Sequence, residues 1–162
     1  MNAEPPEQLD GSSHSGRSAA RLHAVQALYQ MDQSGAAAEA VIIEFTRHRL
    51  GRDIDGEHLV EPDQILFADI VNGAVDRRAD IDARLSSALT ERRPLERLEL
   101  IMRAILRAAA YELLVRLDVP ARVIVNEYVD IAHAFFSGPE PGFVNGVLDA
   151  VGRLERSGEM KV

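Results

Sequence analysis

The sequence predicts an all-α protein, because apolar residues recur at spacings of three and four in segment after segment and strand-like alternation appears nowhere convincingly. Glycine and proline cut the chain into helix-length pieces. Its 162 residues, 46% of them hydrophobic, supply one core rather than two. A compact single domain of about seven helices with short loops is therefore expected.

Residues 1–16 contain Pro5, Pro6, Gly11 and Gly16, carry Glu4, Glu7 and Asp10, and offer only Leu9 as a sizeable apolar side chain beyond Met1. They read as a disordered acidic leader. From Arg17 the domain proper begins: Leu22, Val25, Leu28 and Tyr29 mark an amphipathic helix running to about Gln33, and Gly35 punctuates it. An Ala-rich second helix over 36–50 is anchored by Ile42, Phe45 and Leu50. The acidic, glycine-containing stretch 51–62 is a solvated loop. Asp63 caps a helix with Leu66, Ile70 and Val71 on its buried stripe, ending near Arg77 and Arg78. Ile81, Leu85 and Leu89 define a shorter segment, and Pro94 starts the strongest signal in the chain. Leu95, Leu98, Met102, Ile105, Ala109 and Leu113 form one continuous face up to Arg116, predicting a central helix. Pro120 ends the linker that follows, and Val123, Ile124, Glu127, Ile131 and Phe135 place a helix ending at Gly138. The run 138–142 reads as a rigid turn, Phe143 to Leu154 as the last helix, and residues 157–162 as a flexible tail.

Composition excludes several chemistries. There is no cysteine, so disulfides, iron–sulfur clusters, zinc fingers and thiolate catalysis are ruled out together. His14, His23, His48, His58 and His133 show no ligand spacing, and Asp53, Asp55 and Glu57 match a calcium loop only in acidity. Gly138, Gly142 and Gly146 lack the Lys-Ser/Thr that a phosphate-cradling loop needs, Lys161 being the only lysine, and no nucleophile is singled out by a partner. Neither enzyme activity nor a metal or other cofactor is expected. Apolar runs such as 108–110 are broken by charge well before the roughly 18 residues of a membrane span. With no export signal, the cytoplasm is the expected compartment.

The net charge of −8 makes general polyanion binding unfavourable, so a nucleic-acid site has to be local. From Arg92 to Arg107, five arginines face only Glu96 and Glu99, and Arg103 and Arg107 lie one turn apart, suited to phosphate by their planar forks. Surface salt bridging, with Glu99 to Arg103 as an i,i+4 pair, explains the same spacing. Arg17 and Arg21 are likewise one turn apart near a helix start. Tyr29, Tyr111 and Phe143 read as core residues, although Phe143 follows an exposed turn and can face outward. Asn126, Glu127 and Asn145 lie within apolar helices, where buried polar groups require hydrogen-bond partners.

Four stretches in combination resemble one family: AVQALY at 24–29, RAILR with AYEL at 103–113, the run from Val119-Pro120 to Asn126-Glu127, and FVNGVLD at 143–149, which includes Asn145 and Gly146. They resemble the bacterial transcription antitermination factor NusB family over about Arg17 to Arg156. A ribosomal RNA cytosine methyltransferase family carries a related amino-terminal helical domain, but its second, catalytic domain has no counterpart in this sequence. The resemblance implies two packed helical subbundles that bind the boxA element of leader RNA. It also implies a heterodimer with NusE, ribosomal protein S10, that joins NusA, NusG and RNA polymerase to suppress termination in ribosomal RNA operons. The family's RNA surface maps onto Arg17, Arg21, Tyr29, Arg107 and Phe143, and the charge pattern adds Arg103. The family's run of basic residues is thinned here to Arg17 and Arg21, so weaker intrinsic RNA affinity is expected, with NusE supplying more of the contact. A protein-only adaptor or a homodimer is the alternative reading.

Overall fold

The computed structural model describes residues 6–48 and 61–160, with side chains in the first helix described from His14 onward. Leu50, most of the acidic loop, the Asp53–Glu57 cluster, His58 and Lys161 lie outside the described residues. Among those described, seven α-helices and one 3-10 turn follow in order: α1 Pro6–Ser34, α2 Ala38–His48, α3 Gln64–Asp76, α4 Arg78–Ala88, the 3-10 turn Leu95–Arg97, α5 Leu100–Val115, α6 Ala121–Phe135 and α7 Glu140–Glu155. Helices α1, α2 and α3 pack together, while α4, α6 and α7 pack around α5; α5 also lies against α1 and α3. These are the two subbundles, and they share one continuous core.

Helix α5 can serve both because its sequence allows it. Ala104, Ala108, Ala109 and Ala110 are fully buried, and small side chains let neighbouring helices approach closely. Ile105, Leu106 and Leu113 fill the remaining space, with Phe67, Ile70, Ile81 and Leu85 from α3 and α4, each contributing roughly 1.5–3 kcal/mol on burial. Gly73 of α3 makes room for Tyr111, since a Cβ there would stand 2.2 Å from the tyrosine ring. Asp63 caps α3 by accepting the Leu66 N–H at 2.9 Å, as its position before the apolar stripe predicts. Gly35 closes α1 at φ +76°, donating its N–H to the Met31 carbonyl at 2.8 Å.

Several boundaries differ from the sequence expectation. Helix α1 begins at Pro6 instead of Arg17, so most of the expected leader is helical. Tertiary contacts hold the helix from Gly16 onward: buried Gly16 accepts the Asp63 N–H at 3.0 Å, and Ser18 donates to both oxygens of Glu127 at 2.9 Å. The central helix is interrupted, because Leu98 and Glu99 are extended and separate the 3-10 turn from α5. A 3-10 turn repeats every three residues, so Leu95 and Leu98 still face the core and the periodicity runs on through the break. Helix α7 starts at Glu140 with Pro141 in its first turn, where a missing N–H costs nothing, so only part of the expected rigid turn is non-helical. The tail is docked as far as Met160, which is buried against Gly152, while Glu159 accepts the Ala121 N–H at 2.8 Å. The Arg156 guanidinium donates to the carbonyls of Glu112, Leu113, Arg116 and Val119, closing the C-terminal end of α5.

Candidate nucleic-acid interface

The end of α1, the end of α6 and the starts of α5 and α7 meet at one end of the bundle, beside the loop that carries Arg92 and Arg93 and the 3-10 turn that carries Arg97. Two clefts open there and share Glu99 and Phe136. The larger, about 560 Å³, is walled by Tyr29, Phe135 and Phe136, with Gln26, Gln30 and Gln33 along α1. The smaller, about 270 Å³, is lined by Arg92, Arg93 and Arg97 together with Met102 and Glu140. Phe143 lies at its edge, its ring covered by the Arg93 guanidinium at 4.2 Å from the centroid. All three arginines are exposed, and none forms an ion pair with a carboxylate of the described residues. Aromatic faces beside unpaired guanidinium groups are what a single-stranded nucleic acid requires, the rings for bases and the cations for phosphates.

Of the residues that the sequence singles out, Tyr29 and Phe143 belong to this end of the molecule. Arg17 sits on α1 about 18 Å before Tyr29 along the helix axis, half-buried. Arg21 is not on a surface at all. It is 1% exposed, and its Nε and Nη2 donate to Glu112 at 2.8 and 3.0 Å, with Glu127 at 3.7 Å. Burial acts to lower its pKa, but the hydrogen bond and charge of Glu112 outweigh this and hold it above the usual value. Tyr128 donates to the same carboxylate at 2.6 Å, and burial first, then the Glu112 charge, pushes its phenol well up.

Arg107 does not face the surface that the sequence suggests for it either. It is 7% exposed and forks onto Asp82 at 2.9 and 3.1 Å, with Asp32 at 3.1 Å, so its charge is met by two carboxylates inside the protein. Arg103 folds back onto the carbonyls of Leu98 and Glu96 at 2.9 and 3.1 Å. It therefore closes the 3-10 turn and does not pair with Glu99 as the i,i+4 spacing suggests. Of the polar residues expected to be buried, only Glu127 is, held by Ser18 and Arg21; Asn126 and Asn145 are exposed, as is Gly146 beside the latter.

Sequence reasoning missed Arg92, Arg93 and Arg97 as the accessible part of the basic stretch, and Phe135 and Phe136 as cleft walls. The signal was Pro94, which places the first two arginines before the helix, and the adjacent phenylalanines just ahead of Ser137 and Gly138, where a helix end turns side chains outward.

The NusB family profile matches residues 18–153. The transcription antitermination protein NusB of Caulobacter vibrioides is 51% identical over 148 residues, covering 91% of this chain and 99% of that protein. That of Bradyrhizobium sp. strain BTAi1 is 49% identical over 155 residues, covering 96% and 92%. Among solved structures, T. maritima NusB superposes with a TM-score of 0.72 at 26% identity, covering 90% of this chain and 97% of that one. A structure of antitermination factors NusB and NusE in complex with double-stranded RNA superposes at 0.68 over 85% of this chain and 96% of that one; at 24% identity that likeness is one of fold. On the span of the profile match and the identity to proteins of nearly equal length, the chain belongs to the NusB family of transcription antitermination proteins.

Proposed function

We propose that this protein binds boxA-like single-stranded leader RNA across the two clefts, together with ribosomal protein S10 (NusE), and acts in a complex with NusA, NusG and RNA polymerase that suppresses termination in ribosomal RNA operons. The observation that carries the reading is the placement of unpaired Arg92, Arg93 and Arg97 in a cleft that adjoins the one walled by Tyr29, Phe135 and Phe136, with Arg93 over the Phe143 ring. The arginines supply affinity by neutralising phosphates, which carries no sequence information. The rings take unstacked bases, and side-chain amides and carboxylates read their edges. No bond in the RNA is made or broken. Away from this end the chain is acidic, which suits a basic ribosomal protein as the second partner.

Fluorescence anisotropy of a labelled boxA-like RNA and a scrambled control, titrated with the protein alone and with S10, tests the reading. Selective binding that S10 strengthens and salt weakens is the expected result. Equal binding of both RNAs with and without S10 overturns it, leaving a protein-only helical adaptor.

A further inference from the structure

A carboxylate among arginines works against phosphate binding, so Glu99 calls for a different ligand group. It lies on both clefts, is exposed, and its carboxylate makes no hydrogen bond or ion pair with the described residues. Its natural partner, Arg103, is held on the carbonyls of Leu98 and Glu96. The other acid of the lining, Glu140, has its Oε2 closed off from solvent and cannot offer two acceptors. Glu99 can. Beside it stand the rings of Tyr29, Phe135 and Phe136, able to hold a flat group.

Two adjacent carboxylate oxygens match two adjacent donors. Among the RNA bases only guanine presents such a pair on its Watson–Crick edge, the N1–H beside the N2 amine. Cytosine and adenine place a ring-nitrogen acceptor next to their single amine, and uracil flanks its N3–H with two carbonyls, so each sets a lone pair against the carboxylate. We infer that Glu99 reads a single unpaired guanine, held between the aromatic walls of the larger cleft while Arg92, Arg93 and Arg97 take the neighbouring phosphates. In a duplex that edge is already occupied, so the site takes single-stranded RNA. The inference rests on RNA binding at this end of the molecule.

The test uses the full chain with oligouridine carrying one central guanosine, and the same strand with inosine, which lacks only the N2 amine, at that position. Wild type is expected to bind the guanosine strand about tenfold more tightly than the inosine strand, as for one lost hydrogen bond to a charged group. Glu99→Gln is expected to bind both alike, and to bind plain oligouridine more tightly than wild type because a negative charge has left the arginine cluster. Its thermal melt, for an exposed side chain, stays unchanged. Wild-type binding that ignores the amine, or discrimination that survives in Glu99→Gln, overturns the role of Glu99 alone; absence of binding to any of these strands and to a boxA-like RNA, both alone and with S10 added, overturns RNA binding here as well.

Discussion

Arg21→Ala separates an RNA-binding arginine from a core one. The substitution removes two hydrogen bonds to Glu112, at 2.8 and 3.0 Å, and the ion pair with Glu127 at 3.7 Å. It leaves the Glu112 carboxylate, with a side-chain exposure of 0%, served by the Tyr128 hydroxyl at 2.6 Å and by Arg116 Nε no nearer than 3.9 Å. An ion left buried after its partner is removed costs about 3–5 kcal/mol, against a total stability of about 5–15 kcal/mol for a domain. At roughly 2–4 °C per kcal/mol for a chain of this size, the melting temperature falls by roughly 6–20 °C. Circular dichroism melts and urea titrations read the loss, and RNA anisotropy well below the variant's melt reads binding by the folded molecules, which stays at the wild-type level. Replacing the whole cluster, Arg21→Met and Glu112→Leu with Tyr128→Phe, recovers much of the stability, because neither the Glu112 charge nor an orphaned Tyr128 hydroxyl remains and Ser18 still serves Glu127. A variant that melts like wild type yet loses RNA would refute the reasoning and return Arg21 to the surface.

Gly73→Ala forces a Cβ to 2.2 Å from the Tyr111 ring and disturbs the bond from Tyr111 to Asp69, so it destabilises by about 1–3 kcal/mol, although alanine is otherwise the better helix former; an unchanged urea midpoint would contradict this. Arg156→Ala strips four carbonyls of their donor and costs at least about 2 kcal/mol, with Arg156→Lys restoring only part because a point charge cannot serve them all; equal melts for the two variants would exclude the fork as the reason. Stability also depends on alkaline pH. Burial, with the Asp69 hydrogen bond and charge, pushes Tyr111 up to about 12 from 10.0, and burial with Glu112 pushes Tyr128 up. The unfolded chain therefore loses these protons first, so stability is full below pH 10.0 and falls as pH rises through about 12. Urea midpoints that stay level across that window would count against it.

Helix existence was legible because the 3.6-residue pattern is strong wherever a face is buried, most of all from Met102 to Leu113 of α5. Helix ends were less so. The docking of α1 near Gly16 depends on Asp63, and the docked tail depends on Arg156 and Glu159 meeting the end of α5 and the start of α6, contacts between residues far apart in sequence. The same limit governs the site. Spacing shows that Arg103 and Arg107 share a helix face, but not that Asp32 and Asp82 arrive to neutralise Arg107, nor that Arg103 is spent on a turn. Tyr29 and Phe143 were found through motif resemblance. Phe135 was read as part of an apolar stripe, and only the packing of α6 leaves it 40% exposed at the cleft.

At the end of the bundle that holds the two clefts, accessible positive charge resides on Arg92, Arg93 and Arg97, while Arg107 is spent on Asp82 and Asp32. The salt dependence of single-stranded RNA affinity measures it, since each neutralised phosphate adds about 0.7 to the slope of log K against log salt. Replacing all three arginines by alanine is expected to weaken binding and flatten the slope by about 2, while Arg107→Ala, assayed where it is folded, leaves the slope unchanged. A slope that is kept in the triple variant and lost in Arg107→Ala would contradict it.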